Sequence, residues 1–224
     1  MTPASPLSSV IVFHAGPVPV TRPVVTTWAI MAVLAAGSAL LTRRLATTPK
    51  RYQAILELLV TGIESQIEAV TRKSARPLLP LLGTLFIYLL CANLSGLLPG
   101  VQAPTGRVET PAALALIVFF AVHYFGIRTQ GIIGYLASFA QPKLVMLPLN
   151  ILSEITRTFS LMVRLFGNVM SGEFLIGLVL ALAGLFVPVP LMALELLVGV
   201  VQAYIFSVLA TVFIGAAAGS IEPA

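Results

Sequence analysis

A row of charged and polar side chains runs through one of the most apolar parts of this chain. On a helix with about 3.6 residues per turn, these side chains fall along one side, and the other side is Leu, Ile, Val, Met and Phe. An arginine at membrane depth costs at least about 2.5–3.5 kcal/mol, so it stays there only if it faces a partner or a wet cavity. The row therefore marks a candidate functional site. Its members are Asn150, Ser153, Glu154, Arg157, Ser160, Arg164, Asn168 and Ser171.

The composition supports a membrane protein. Of the 224 residues, 58% are hydrophobic and 9% are charged, and the mean hydropathy is +1.01. Soluble domains carry about 25% charged residues, so the sequence predicts an all-α polytopic membrane protein in contact with the lipid bilayer. In a soluble protein, the net charge of +5 would suggest a nucleic-acid partner. Here the basic residues lie in short loops between apolar segments, so they indicate topology and we expect no nucleic acid.

The apolar segments predict a single membrane domain, 1–224, with five membrane helices and one interfacial amphipathic helix. The last two helices are expected to form a long tilted hairpin, broken at Val187-Pro-Val-Pro190. The stretch after Arg128 fits either a loop or a short interfacial element. The predicted parts are an N-terminal tail (1–23), a span (24–42), the interfacial helix (52–71), two further spans (77–98 and 111–127), the long tilted helix (144–187) and the last helix (188–219).

The loop charges predict the orientation of the chain in the membrane. By the positive-inside rule, the N-terminus lies outside and the C-terminus inside. Only Arg22 and Arg107 fall on the outer side. The basic residues of the inner side are Arg43, Arg44, Lys50, Arg51, Arg72, Lys73, Arg76, Arg128 and Lys143.

Few side chains of the apolar segments can act on ions. Arg164 stays charged, so it does not relay protons, but it can stabilise a carboxylate beside it and stop cations from passing. Glu195 and Gln202 share a face of the last helix, and Glu173 lies on the long helix. Because carboxylates titrate, these residues predict a hydrated path for protons or cations. The alternatives are a structural ion pair for the arginine and a packing role for the glutamates.

A second set of polar residues lies nearer the predicted inner end of the long helix. Glu154, Arg157 and Ser160 either line a second aqueous access, or the first two form a plain salt bridge near the membrane surface. A metal site needs several convergent ligands, and His14 and His123 are isolated, so we expect no metal and no cofactor. No P-loop, nucleotide fingerprint or hydrolase nucleophile is visible, and the chain is not expected to be an enzyme alone.

Four segments resemble subunit a of the F-type ATP synthase. The resemblance covers most of the chain in order, from about Phe13 to Gly219, and its central motif is highly specific. The matching segments are Ser160-Leu-Met-Val-Arg164-Leu-Phe-Gly-Asn168 followed by Ser171-Gly-Glu173, then Gln202-Ala-Tyr-Ile-Phe206, Ala92-Asn-Leu-Ser-Gly-Leu-Leu-Pro-Gly100 and Phe13-His-Ala-Gly-Pro17.

This resemblance implies a stator subunit of the membrane sector that packs against a rotating ring of c subunits. It also implies peripheral-stalk b subunits and other ATP synthase subunits as partners, and a bacterial plasma membrane as the location. By matching position, Arg164 would face the ring carboxylates, with Asn168 and Gln202 as its polar neighbours. Glu173 and Glu195 would line the outer half-channel.

The chain departs from the family pattern at a few positions. Members often carry one Glu and one His where this chain has Glu173 and Glu195. Thr158 and Asn150 stand where many members carry Pro and Glu, and Gly96 replaces an acidic residue seen in some members. These departures leave open which residues line the inner half-channel and whether the ion is a proton or sodium.

Two other functional interpretations fit a small membrane protein with buried charges. One is a self-contained cation transporter or channel in which Arg164 gates and the glutamates bind the ion. No inverted repeat typical of secondary transporters is visible in the sequence, which disfavours it. The other is a structural assembly subunit, and the charged residues within apolar segments disfavour that interpretation.

Overall fold

The computed structural model describes residues 11–15, 18–42, 51–72, 74–97, 101–139, 147–184 and 187–219. These residues are predominantly helical, as the composition predicted. A short antiparallel hairpin, β1 (Ile11–Ala15) and β2 (Val18–Thr21), lies in the predicted tail and was not expected. The helices are α1 (Arg22–Thr42), α2 (Arg51–Thr71), α3 (Leu79–Ser95), α4 (Glu109–Phe139), α5 (Leu147–Ala183) and α6 (Val189–Ala217), with a 3-10 turn at Pro104–Gly106.

Four of these helices, α1, α4, α5 and α6, are long and apolar enough to cross a membrane. The helix α3 has 17 residues. At 1.5 Å per residue it spans about 26 Å, short of the roughly 30 Å hydrocarbon core. It begins two residues after the predicted start because Ala75 accepts hydrogen bonds from the N–H groups of Leu78 and Leu79 and forms a turn there. The count of five membrane helices and one interfacial helix stays a prediction.

Some residues on which the sequence predictions rest form a group outside the described part of the chain. The predicted end of the second span, Leu98, is one of them, and so are residues 144–146 at the predicted start of the long helix. The basic residues of this group are Arg43, Arg44, Lys50, Lys73 and Lys143.

The helix α4 continues well past the predicted end at residue 127. Its backbone leaves helical geometry at Gly131, where φ is 74° and ψ is 164°, a conformation that glycine adopts at little cost. After this break the chain turns back, and the ring of Tyr135 packs against the backbone of Gly126. The ring of His123 lies between Phe119 and Tyr135, with centroid distances of 4.3 Å and 5.8 Å. The stretch that the sequence left as loop or interfacial element is therefore helical as far as Phe139, the last of its residues that the structure describes.

The long helix α5 ends earlier than the sequence predicted, and a glycine ends it instead of the predicted prolines. Gly184 has a φ of +81°, so the chain leaves the helix through a left-handed residue, as helices commonly do at glycine. The predicted breaker, Val187-Pro-Val-Pro190, instead forms a turn and the start of α6. Proline fits the first turn of a helix because the N–H groups there have no partner in the helix.

The described residues group into two compact units. Unit 1 comprises the described parts of Met1–Thr47, Ile87–Thr110 and Leu165–Ala203. In unit 1 the second half of α5 runs antiparallel to the first half of α6, since Asn168 contacts Gln202 and Gly172 contacts Glu195. Its buried centre includes Leu89, Ala92, Thr105, Leu165 and Ala203.

Unit 2 comprises the described parts of Thr48–Phe86, Pro111–Arg164 and Tyr204–Ala224. Here the first half of α5 pairs with the second half of α6, and the Arg157 guanidinium lies 5.6 Å from the centre of the Phe213 ring. The side-chain amide of Gln130 donates to the carbonyl of Ala217 at 2.8 Å and caps the end of α6. The buried centre of unit 2 includes Leu82, Val118, Leu161, Phe206 and Ile214.

Replacing Gly126 by Ala tests the return of the chain after Gly131. A Cβ at position 126 would stand 2.4 Å from Cε2 of Tyr135, so the buried ring must move. We expect Gly126→Ala to destabilise the protein by about 1–3 kcal/mol, the usual cost of overpacking a core. The measurement is thermal unfolding of the detergent-solubilised complex. The matched control is Gly83→Ala in α3, where no atom lies within 4 Å of the new Cβ, and an equal loss in both variants would contradict the contact.

Candidate functional site

The face of α5 that carries Arg164 and Asn168 is exposed. The helix buries a narrow stripe made of Leu161, Leu165 and Val169, which are four residues apart and therefore lie on one side. Arg164 makes no hydrogen bond and no salt bridge with any other described residue. The helix thus presents on its exposed face a guanidinium that no other described residue compensates.

Two of the predicted site residues form a direct hydrogen bond. The Nδ2 group of Asn168 donates to Oε1 of Gln202 at 2.8 Å. Gln202 is only 2% exposed, and its Nε2 group has no hydrogen-bond partner among the described residues. Leaving a buried donor unpaired costs about 1–3 kcal/mol. This amide is therefore able to donate to an oxygen that arrives beside it.

Glu173 lies against the 3-10 turn of unit 1. Its Oε1 accepts a hydrogen bond from the backbone N–H of Ala103 at 3.2 Å. The same carboxylate stands 3.0–3.1 Å from the place that a Cβ of Gly106 would take, so a side chain at position 106 would push it away. The Arg107 guanidinium lies within electrostatic range. A cavity of about 310 Å³, lined by Glu173, Arg107, Glu109 and Gln102 among others, opens beside them.

Glu195 reaches α5 from α6 within the same unit. Its Oε1 stands 2.8 Å from the place that a Cβ of Gly172 would take, so that glycine leaves the room the carboxylate occupies. Glu195 and Glu173 lie within electrostatic range of each other. The structure thus brings the two predicted glutamates into one region of unit 1.

A buried amide on α3 is a polar residue that the sequence reasoning did not select. Asn93 donates from Nδ2 to the carbonyl of Gly199 at 2.8 Å and accepts at Oδ1 from the Thr105 hydroxyl at 2.9 Å. It therefore joins α3, the 3-10 turn and α6. The sequence does carry a signal for this residue, since Asn93 stands inside an apolar helix. A buried amide is almost always hydrogen-bonded, so such an asparagine indicates a polar contact between helices.

The residues predicted near the inner end line a groove of unit 2. Its volume is about 460 Å³, and its polar lining is Ser153, Thr156, Arg157, Ser160 and Arg164. Glu154 is not part of this lining and instead pairs with Arg157 at 3.9 Å. The salt bridge, one of the two alternatives in the sequence, is present, and Arg157 also lines the groove; an aqueous access on this side stays a prediction.

Not every member of the polar row predicted along α5 lines this groove. Asn150 does not line the groove, because its Nδ2 group donates to the carbonyl of Phe139 at 2.9 Å and caps the end of α4.

Among the residues that the structure describes, no three His, Cys, Asp or Glu side chains converge on a point. The side chain of His14 lies outside that description.

Four membrane-capable helices that carry carboxylates, amides and a guanidinium define a multi-pass membrane protein of the ion-transport class. A family model described as ATP synthase A chain matches residues 24–215. ATP synthase subunit a 2 of Bradyrhizobium sp. (strain BTAi1 / ATCC BAA-1182) is 73% identical, over 97% of this chain and 98% of that protein. Subunit a of Albidiferax ferrireducens is 50% identical over 89% and 87% of the two chains, and subunit a 1 of Chlorobaculum parvum is 48% identical over 93% of each.

The chain therefore belongs to the ATP synthase A chain family, the subunit a of F-type ATP synthases. It is a non-catalytic membrane subunit of a complex in which other subunits carry out catalysis.

Removing the amide of Asn93 tests the bridge between α3, the 3-10 turn and α6. Asn93→Leu leaves the buried Thr105 hydroxyl without its acceptor, and we expect a loss of about 1–3 kcal/mol in the free energy of unfolding. Adding Thr105→Val removes that orphaned hydroxyl and should recover part of the loss, because the two positions interact directly. Denaturant titration of the solubilised complex measures both variants. A double variant no more stable than Asn93→Leu would argue against the bridge.

Proposed function

We propose that this chain is the ion-translocating stator subunit of its ATP synthase, with Arg164 acting on carboxylates of a rotating c ring. The observation that carries this proposal is the exposed, uncompensated guanidinium on an apolar helix. An arginine at membrane depth faces a partner or a wet cavity, and this one has no partner among the described residues, so its guanidinium is open to an acid on another polypeptide.

The ring turns because its carboxylates change charge with their surroundings. A carboxylate that faces lipid must be neutral, since a bare charge in hydrocarbon is costly. Beside the Arg164 guanidinium the charged form is favoured, so the carboxylate releases its ion there. The arginine itself remains charged throughout, and it stops cations from passing directly between the two sides.

The outer half-channel consists of the polar residues gathered in unit 1. Glu173 and Glu195 lie within electrostatic range of each other, and the carboxylate of Glu173 lines a cavity of about 310 Å³. The hydrogen-bonded pair Asn168 and Gln202 provides the polar neighbours of Arg164 on this side. The carboxylates load and release protons or bind sodium ions as the ring passes.

The inner half-channel is the groove of unit 2. Arg157, Ser160 and Arg164 line it, and Glu154 holds Arg157 through their salt bridge. Each charge that crosses about 100 mV yields roughly 2.3 kcal/mol, so several ions are needed for each ATP. Two half-channels that open to opposite sides force each ion to travel with the ring.

We further propose five membrane helices with α2 in the interface, the N-terminus outside and the C-terminus inside a bacterial plasma membrane. Peripheral-stalk b subunits hold the chain against the ring. Membership of the ATP synthase A chain family favours this role over a self-contained cation transporter or channel, and over a purely structural assembly subunit.

Arg164 is the residue whose loss tests the proposal most directly. We expect Arg164→Ala to lower ATP-driven ion pumping by at least about 100-fold, the order seen when a preorganised stabilising group is removed. Arg164→Lys should also fail, because lysine lacks the planar fork and can lose its proton when desolvated. The measurement is pumping by the complete complex in proteoliposomes. The matched control is Arg128→Ala, which removes an exposed arginine whose partner is the Tyr124 hydroxyl at 3.2 Å. Full pumping by Arg164→Ala would refute the assignment.

Glu195 tests the outer half-channel separately. We expect Glu195→Gln to slow pumping by about tenfold, less than the 10²–10⁴ typical of a lost proton-transferring group, because Glu173 lies within electrostatic range and keeps a carboxylate in the path. Passive ion flux through the complex after removal of its catalytic sector gives the rate. A flux equal to that of the unaltered complex would remove Glu195 from the path and leave the role of Arg164 intact.

A further inference from the structure

A narrow apolar cavity lies between α2, α3 and α6 in unit 2, away from the residues proposed for ion transport. Its volume is about 260 Å³, and its hydrocarbon lining includes Leu58, Leu59 and Ile63 of α2 and Phe86 of α3. The α2 wall runs from Leu58 to Val70, which is about 18 Å of helix. The lining thus offers apolar side chains over a length that suits a hydrocarbon chain.

One part of the cavity wall is polar. Gln66 donates a hydrogen bond from Nε2 to the hydroxyl of Tyr204, and both residues line the cavity. The Ser207 hydroxyl, also in the lining, is buried and has no hydrogen-bond partner among the described residues. An unpaired buried hydroxyl is unfavourable, so an occupant that offers an acceptor, such as an ester carbonyl, satisfies it.

The polar end of the α2 wall leads into a basic segment. Val70 is the last α2 residue of the lining, and the exposed residues Arg72 and Arg76 follow it. Glu68 is the nearest acid on α2, and its Oε1 accepts from the backbone N–H of Ala75 at 3.3 Å. Basic residues next to a membrane helix attract anionic headgroups.

We propose that this cavity binds one anionic phospholipid. One acyl chain packs against Leu58, Leu59 and Ile63, an ester carbonyl accepts from the Ser207 hydroxyl, and the phosphate lies near Arg72 and Arg76. A hydrocarbon tail, an acceptor at the glycerol and a negative headgroup match the apolar lining, the unpaired hydroxyl and the two exposed arginines. The lipid then joins α2 to α3 and α6 as a structural component.

Photo-labelling tests this site on the complete complex. The complex is reconstituted in vesicles that contain phosphatidylglycerol with a diazirine in one acyl chain, illuminated, and digested for mass spectrometry. We expect labels on residues 58–70 and 204–211. Gly62→Leu should lower this labelling about tenfold, since a leucine would displace at least two methylenes of the chain. No atom lies within 4 Å of a Cβ at Gly62, so the added side chain begins in open space.

The control variant is Gly37→Leu, an equally open helical glycine on α1, and it should label like the unaltered complex. Labelling that Gly62→Leu leaves unchanged would overturn the site. Equal labelling by a diazirine phosphatidylcholine probe would overturn the anionic headgroup, and a cross-link from this cavity to another subunit would overturn a lipid occupant. Competition on the unaltered complex decides the case where Gly62→Leu prevents assembly: unlabelled phosphatidylglycerol should displace the probe, and phosphatidylcholine should not.

Discussion

The structure depends on one charge that the chain can neither neutralise nor bury. An arginine keeps its proton under all conditions in a protein, so a helix that carries Arg164 at membrane depth cannot close its polar side against its own apolar residues. Only 11% of the most apolar part of α5 is buried. The buried stripe of Leu161, Leu165 and Val169 anchors the helix, and the opposite side is left for another molecule. A subunit with this surface is incomplete without a partner.

In unit 1, polar groups determine how closely the helices approach. Gly106 and Gly172 each leave the space that a glutamate carboxylate occupies, so their role is close approach and not backbone flexibility. Asn93 holds α6 through the carbonyl of Gly199. The Gln202 amide is buried, and only its oxygen is paired. Its Nε2 group is therefore an unused donor, and leaving a buried donor unpaired is costly.

The sequence was sufficient for the features that depend on helical periodicity. Apolar length predicted the helices, and the 3.6-residue repeat placed Arg164 and Asn168 on one side of α5. The features it did not predict depend on contacts between distant residues. A glycine within an apolar segment does not reveal whether it breaks the helix, and Gly131 does so where Tyr135 packs against Gly126. The end of α5 at Gly184 was assigned to the prolines because both are helix terminators and only the backbone distinguishes them.

Two arginines of α5 differ in their surroundings, and this difference supports the role proposed for Arg164. Arg157 and Arg164 line the same groove, but Arg157 has the Glu154 carboxylate at 3.9 Å and the Phe213 ring at 5.6 Å. The chain can therefore supply an acid and an aromatic face to a guanidinium in this groove. Among the described residues it supplies neither to Arg164, and the next acid of the helix, Glu173, is nine residues on and accepts from the N–H of Ala103. The missing partner is thus a property of that one position, and it is the reason to look for the acid on another subunit.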